Sequence, residues 1–230
     1  MKIDLYADGS DIEEIKRLSN DPSIKGFTTN PTLMKKSGVK DYLKFVKEVS
    51  SVVRHDPLSF EVFSDELHEM ESQARKIAQY GDNIYIKIPV TNTRGISTAS
   101  VVESLLMDGI KVNITAVFTM DQIDKLLPFM KSETPVILSI FAGRIADTGT
   151  DPKPIVRWAV NEVSDNVKVL WASPREVYNL YEAESVDCDI ITMTPSLIDK
   201  VSMKGKCLDE YSLDTVKMFY NDATEAGYKL

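Results

Sequence analysis

The chain has 230 residues, 43% of them apolar and 27% charged, with only ten glycines and ten prolines, which excludes disorder, collagen-like repeats and low-complexity tracts. Lys and Arg number 27 against 35 Asp and Glu, and the formal charge of −8 repels a polyanion at long range; no nucleic-acid partner is expected, and any bound anion is small and locally held. No apolar run approaches the ~20 residues of a membrane helix, and no basic start followed by an apolar run opens the chain, so no membrane partner is expected and the compartment reads as cytoplasmic.

In chain order, β-rich runs occupy residues 3–7, 26–28, 58–62, 84–88, 111–115, 136–140, 167–172 and 190–193. Between them the apolar period changes to that of a helix. Leu67, Met70, Ala74, Ile77 and Ala78 follow a possible Asp65 N-cap, and Ala99, Val102, Leu105 and Leu106 run to a stop at Gly109. Lys40, Lys44 and Lys47 share a helix face opposite Tyr42, Phe45, Val46 and Val49, the pattern of a solvated side over a buried one. The strands are too apolar to keep one face in water. Their alternation with helices implies a covered parallel sheet, and about eight repeats suit an α/β fold of the (β/α)8 TIM barrel kind better than an open doubly wound sheet. No linker interrupts the pattern, so residues 1–230 read as a single barrel domain. An amphipathic helix over 213–223 lies beyond the last unit, inside a C-terminal helical extension at 212–230 suited to packing or to oligomer formation.

Barrel enzymes place their chemistry at the C-terminal ends of the strands. Here strand one hands over Asp8, strand two Thr28, Thr29 and Asn30, strand three Glu61, strand four Lys87, and strand five Asn113 and Thr115. Strand six hands over Ser139 and Arg144, and strand seven Ser173 and Arg175. Lys87 is the sharpest signal: in Ile84-Tyr85-Ile86-Lys87-Ile88-Pro89 an amine stands inside an apolar strand. Burial disfavours an ammonium and so favours the neutral amine that attacks a ketone to form a Schiff base; the alternative is a lysine reaching out from a strand end or paired with a carboxylate. Asp8 and Glu61 supply carboxylates to move protons in such a cycle, although Asp8 precedes Gly9-Ser10-Asp11, any of which could cap a helix from Ile12. Arg144, Ser173 and Arg175 lie where barrels often bind phosphate, and a guanidinium fork with a hydroxyl suits a phosphate monoester. The alternatives are that Arg144 pairs with Asp147 and that Arg175 opens a helix.

Other chemistries lose their handles. Cys188 and Cys207 form neither a disulfide framework nor a zinc spacing, and Ser72 stands where H-E-x-x-H would need its second histidine, so no metal is expected. With His55 and His68 the only histidines, proton transfer falls to carboxylates, lysine and water. No G-x-G-x-x-G after a strand, P-loop or G-x-S-x-G motif occurs, and no cofactor is expected.

Six segments resemble, in order and over nearly the whole chain, the strand-end motifs of the transaldolase family in its short form, close to the fructose-6-phosphate aldolases. They are Leu5-Tyr6-Ala7-Asp8, Gly26-Phe27-Thr28-Thr29-Asn30-Pro31-Thr32, the lysine strand through Val90-Thr91, Asn113-Ile114-Thr115-Ala116-Val117-Phe118, Phe141-Ala142-Gly143-Arg144-Ile145 and Ala172-Ser173-Pro174-Arg175. The resemblance implies a Schiff-base transferase without cofactor or metal. Lys87 attacks the ketone of a ketose phosphate, fructose 6-phosphate or sedoheptulose 7-phosphate. Asp8 removes the C4 hydroxyl proton as the C3–C4 bond breaks. Asn113, Asn30 and Ser139 hold the remaining enamine until an acceptor, erythrose 4-phosphate or glyceraldehyde 3-phosphate, is attacked. Glu61 and Thr115 position a proton-shuttling water, and Arg144, Ser173 and Arg175 hold the phosphate. A ring of subunits is likewise implied.

Members of the family that release free dihydroxyacetone carry Tyr where this chain has Phe141 and Gln where it has Glu61, so the pair resembles the transferase. The other readings are a fructose-6-phosphate aldolase and a catalytically silent sugar-phosphate-binding barrel. Gly9, where Thr or Ser is frequent, Ala146, where an acid is common, and Pro174, where a larger apolar residue is usual, depart from the family pattern and bear on the phosphate pocket.

Overall fold

A computed structural model describes residues 2–229. Eight strands, β1 (Asp4–Asp8), β2 (Ile24–Thr28), β3 (Leu58–Glu61), β4 (Ile84–Pro89), β5 (Val112–Val117), β6 (Val136–Ile140), β7 (Val167–Trp171) and β8 (Ile190–Met193), pair in parallel and in chain order, and β1 meets β8 to close a (β/α)8 barrel. The helices are α1 (Ile12–Leu18), α2 (Pro31–Lys36), α3 (Tyr42–Val52), α4 (Leu67–Ala78), α5 (Ala99–Met107) and α6 (Met120–Leu126), then α7 (Ala142–Ala146), α8 (Lys153–Glu162), α9 (Tyr178–Glu184), α10 (Pro195–Val201) and α11 (Leu208–Glu225). The expected strands are recovered, each within a residue or two.

The period of two along each strand divides the layers. Leu58, Phe60, Ile86, Ile88, Val112 and Ile114 are fully buried, forming the wall under the helices, while Ser59, Glu61, Lys87, Asn113 and Thr115 alternate with them and face the barrel axis. Inside the barrel Tyr6, Ile137, Leu170, Ala172 and Ile190 form an apolar cluster, with Tyr85 and Phe141 packed against it; Leu170, Ala172 and Phe141 extend it to the cavity described below. Gly26 adjoins this cluster by necessity, because a Cβ there would stand 2.5 Å from the Tyr6 ring.

The βα turns are set by short polar side chains. Asp11, and not Asp8, caps α1 by accepting from the Glu14 amide at 3.0 Å, which leaves the Asp8 carboxylate for other work. Asp41 caps α3, and Thr119 with Gln122 forms a capping box on α6. Asp65 is not the cap of α4; that helix starts at Leu67 after Glu66, with no side-chain cap. The Asp65 carboxylate instead accepts from the Thr93 amide at 2.7 Å and the Thr93 hydroxyl at 2.8 Å, tying the loop after β3 to the loop after β4. Spacing along one helix cannot reveal a partner two elements away. Lys44 and Lys47 are exposed while Phe45, Val46 and Val49 are buried, as the helical period requires; Lys40, expected on the same helix face, precedes the Asp41 cap and lies outside the helix.

The chain divides into two compact units, one ending at Ile198 and one beginning at Asp199. The second carries α11, which starts at Leu208, earlier than the expected extension, and leaves Leu208, Tyr211, Leu213, Val216, Phe219 and Tyr220 exposed.

Candidate active site

Strand register alone brings the polar residues together. Asp8 pairs beside Thr28, Glu61 beside Lys87, and Lys87 beside Asn113, so residues distant in sequence become lateral neighbours at one end of the barrel. There a cavity of about 430 Å3 is lined by Asp8, Asn30, Glu61, Lys87, Thr115, Ser139, Phe141, Arg144, Ser173 and Arg175. These are the expected site residues apart from Asn113.

Lys87 is 6% exposed and is the one lysine among the described residues lining the cavity. Its Nζ donates to the Thr29 carbonyl oxygen at 2.8 Å and lies 3.2 Å from Glu61 Oε2. Lys87 is therefore paired with a carboxylate, and that carboxylate is itself at the cavity wall. Glu61 is held from outside the barrel, where the Tyr42 hydroxyl donates to its carbonyl oxygen at 2.5 Å. The Thr115 hydroxyl is buried and has no hydrogen-bond partner among the described residues, which leaves both its donor and its acceptor capacity to whatever enters the cavity.

Asp8 is half-buried, and its carboxyl is pushed above the ordinary aspartate range by burial; the Lys87 charge and hydrogen bonds from Thr28 and Asn30 oppose that rise, and the Glu61 charge adds to it. Thr28 Oγ1 donates to Asp8 Oδ1 at 2.9 Å, and Asn30 Nδ2 reaches Oδ2 at 3.4 Å. Asn30 is fixed from its other end, since its Oδ1 caps α2 by accepting from the Leu33 amide at 2.9 Å.

Asn113 is fully buried beneath the cavity and does not line it. Its Nδ2 donates to Ser59 Oγ at 3.1 Å, and its Oδ1 accepts from Ser139 Oγ at 2.6 Å, so it sets the direction of the Ser139 hydroxyl. Its amide is thus engaged by Ser59 and Ser139 in the structure; a strand-end position does not by itself say how deep a side chain lies.

The arginines divide. Arg144 has no carboxylate partner at ion-pair distance among the described residues and stacks its guanidinium 5.5 Å over the Phe141 ring, leaving its donors to the cavity mouth. Asp147, the alternative partner for Arg144, is taken by Arg175, whose Nε donates to Asp147 Oδ1 at 3.1 Å and whose Nη2 makes a second, shorter bond to Oδ2. That fork holds the Asp147 carboxyl below its usual range. Ser173, at φ +63, places the chain so that its carbonyl oxygen abuts α7: a Cβ on Gly143 would stand 1.6 Å from it. Of the family departures, Pro174 lines the cavity and Ala146 is exposed outside it. A Cβ on Gly9 would meet only the Pro195 ring, at 3.9 Å, so its glycine leaves space and serves no conformational need.

Four threonines line the cavity besides the expected site residues: Thr28, Thr32, Thr192 and Thr194. Thr192 carries the signal in its alternation with Ile191 and Met193 on β8, a strand for which no polar residue had been singled out.

The sequence pattern of the transaldolase/fructose-6-phosphate aldolase family matches residues 5–230, which takes in every strand-end motif described above. The chain belongs to this family. Among the most similar curated proteins, a probable transaldolase of Brucella anthropi is 33% identical over 229 residues, covering 98% of both chains. A protein named probable transaldolase 2, of Listeria monocytogenes, is 34% identical over 200 residues, covering 85% of this chain and 87% of its own. Solved structures agree in fold. KGPDC from Streptococcus mutans superposes with a TM-score of 0.55 at 11% identity over 85% of this chain and 89% of its own, and 2,3-dimethylmalate lyase does so with 0.57 at 9% identity over 99% and 84%. The transaldolase-family membership makes this chain an enzyme of the transaldolase kind. No helix among the described residues of this family member is long and apolar enough to cross a membrane.

Proposed function

We propose that the protein transfers a dihydroxyacetone unit from a ketose phosphate to an aldose phosphate through a Schiff base on Lys87. The observation that carries this reading is the buried Lys87 amine, 3.2 Å from Glu61 in the same cavity wall that holds Asp8. The amine passes a proton to Glu61, attacks the ketone carbon, and loses water from the carbinolamine to give a protonated imine. Asp8 accepts the C4 hydroxyl proton while the C3–C4 electron pair moves into that imine as an enamine, and an aldose phosphate leaves. The electron sink is the imine itself. Asn30 and the Ser139 hydroxyl, aimed by Asn113, bind the three-carbon fragment; Glu61 and Thr115 manage the water lost and regained. Arg144, Ser173 and Arg175 bind the phosphate, with fructose 6-phosphate or sedoheptulose 7-phosphate as donor and erythrose 4-phosphate or glyceraldehyde 3-phosphate as acceptor. Borohydride added with fructose 6-phosphate is expected to fix a three-carbon adduct on Lys87, read by peptide mass; an unmodified Lys87 peptide sinks the reading.

Phe141 supports transfer over release of free dihydroxyacetone. Its ring lies at the cavity between Arg144 and Phe118, whose centroid is 5.7 Å away, and it offers no hydroxyl to orient a water on the enamine. Phe141→Tyr is expected to raise acceptor-free formation of glyceraldehyde 3-phosphate about tenfold or more, measured with a coupled dehydrogenase. No increase over the parent would remove the ring from that role.

We also propose that copies of the chain associate. The exposed apolar residues of α11 support this, since a helix carrying Tyr211, Val216, Phe219 and Tyr220 in water is an interaction surface. Light scattering is expected to give a mass several times that of one chain; a monomer at all concentrations would contradict it.

A further inference from the structure

Asp8 sits at the end of a line of hydroxyls contributed by two neighbouring strands. Thr28 Oγ1 lies 2.9 Å from Asp8 Oδ1 and 2.6 Å from Thr192 Oγ1. Both threonines are buried, 2% and 5% exposed, and both border the cavity. The order of strands β8, β1, β2 in the barrel creates the line, with Thr28 paired beside Asp8 and Thr192 beside Tyr6.

Donor arithmetic fixes its direction. An ionised carboxylate only accepts, and a threonine hydroxyl carries a single hydrogen. While Asp8 is ionised, Thr28 must therefore give its hydrogen to Asp8, and the contact between the threonines must be donated by Thr192. When Asp8 carries a proton on Oδ1 the line reverses: Asp8 donates to Thr28, and Thr28 to Thr192. The change is a rotation of two hydroxyl hydrogens about their Cβ–Oγ bonds. No covalent bond forms or breaks in the threonines, and no proton leaves the line. Each β-branched side chain holds its rotamer on a strand, so both oxygens stay in place throughout.

We propose that Thr192, acting through Thr28, is a positioning residue that holds the Asp8 carboxylate in register with the substrate hydroxyl in both of its protonation states. This rests on the reading of Asp8 as the proton acceptor in bond cleavage. Asp8 faces Lys87 from β4 and Glu61 from β3, with Arg144 and Arg175 elsewhere on the same cavity wall. Asp11 and Glu14 near the start of α1 and Lys36 of α2 line a smaller cavity that Asp8 also borders. A substitution at Thr192 alters none of these residues.

Thr192→Val keeps the shape of the side chain and removes the hydroxyl; Thr192→Ser keeps the hydroxyl. With fructose 6-phosphate and an acceptor aldose phosphate, T192V is expected to lose about tenfold in kcat with KM changed less than about twofold. The acid limb of its kcat profile should move to higher pH, because a weaker brace makes the ionised carboxylate harder to form. Borohydride trapping in T192V should show more intact ketose adduct relative to the three-carbon one, since imine formation is spared and cleavage is slowed. T192S should return all three readouts to the parent values. An unchanged kcat and acid limb in T192V overturns the proposal, as does equal impairment of T192V and T192S, which would make the role steric. Should T192V fail to fold, Thr28→Val serves in its place, with a larger shift of the same sign expected and an unshifted limb overturning the brace. Asp8→Asn separates the two readings. Normal cleavage by D8N would overturn the role of Asp8 itself, whereas blocked cleavage in D8N beside an unaffected T192V overturns only the brace.

Discussion

Lys87→Met is expected to abolish transfer, lowering kcat/KM by about 10^4 or more, with no adduct trapped by borohydride. The size follows from the chemistry. Without an amine no imine forms, and a C3–C4 bond then has no acceptor for its electron pair, so the remaining groups can only bind substrate. Methionine matches the length of the lysine stem but takes away the cation beside Glu61, which lies 3.2 Å from the amine in the parent protein. Leaving a partly buried carboxylate without its counter-charge destabilises, by up to about 3 kcal/mol for such a pair, unless the carboxyl takes up a proton instead. Circular dichroism and ligand-binding calorimetry with fructose 6-phosphate check that the variant still folds and binds. A folded K87M that transfers at the parent rate would end the Schiff-base account.

Asp8→Asn is expected to lower kcat by about 10^2 to 10^4 while leaving imine formation intact. The diagnostic is the identity of the trapped species. With the proton acceptor gone, C3–C4 cleavage stalls, and borohydride should fix the whole six-carbon ketose phosphate on Lys87 in place of the three-carbon fragment. A three-carbon adduct in D8N would assign the proton transfer to another group. The same substitution has a consequence for stability. Burial raises the Asp8 carboxyl above its unfolded value, so the folded protein holds this proton more tightly than the unfolded chain does. Charging Asp8 therefore costs stability as pH rises from the unfolded value to the raised folded one, and that cost is complete above the folded one. D8N is expected to melt higher than the parent at neutral pH, with the difference shrinking as acid protonates Asp8, measured by calorimetry across pH. A D8N protein that melts lower at neutral pH would mean that the hydrogen bonds to Asp8 outweigh its burial.

The two residues are also held differently. Lys87 rests against a carboxylate and a backbone carbonyl, whereas Asp8 is surrounded by neutral donors, Thr28 and Asn30, with Lys87 the opposing charge. The amine thus pairs with Glu61, and Asp8, on the same cavity wall, is left with neutral hydrogen-bond donors.

Much of this was legible in the residue order. Lys87 stood out because a charge in the middle of Ile84–Pro89 has no reason to be there in a buried strand, and the inward set Glu61, Asn113, Thr115 and Ser139 followed from the period of two once the barrel was read from the strand–helix alternation. What the alternation did not carry was depth and partnership. Asn113 and Thr115 are both inward on β5, yet one lies under the cavity with its amide engaged on both sides and the other faces it with a free hydroxyl. Arg144 and Arg175 both follow barrel strands, yet only Arg175 meets Asp147, because the loop after β7, turned at Ser173 against Gly143, carries it to the end of α7.

The sequence by itself determined the eightfold strand–helix order, the inward face of each strand and the identity of the amine, since these depend on local periodicity and on the cost of burying a charge. Tertiary structure alone decided which hydroxyls brace Asp8, which carboxylate meets Lys87 and which arginine stays uncommitted. Those choices are made by strand register and barrel closure, which bring β8 against β1 across nearly the whole length of the chain, and no pattern of neighbouring residues records a contact of that range.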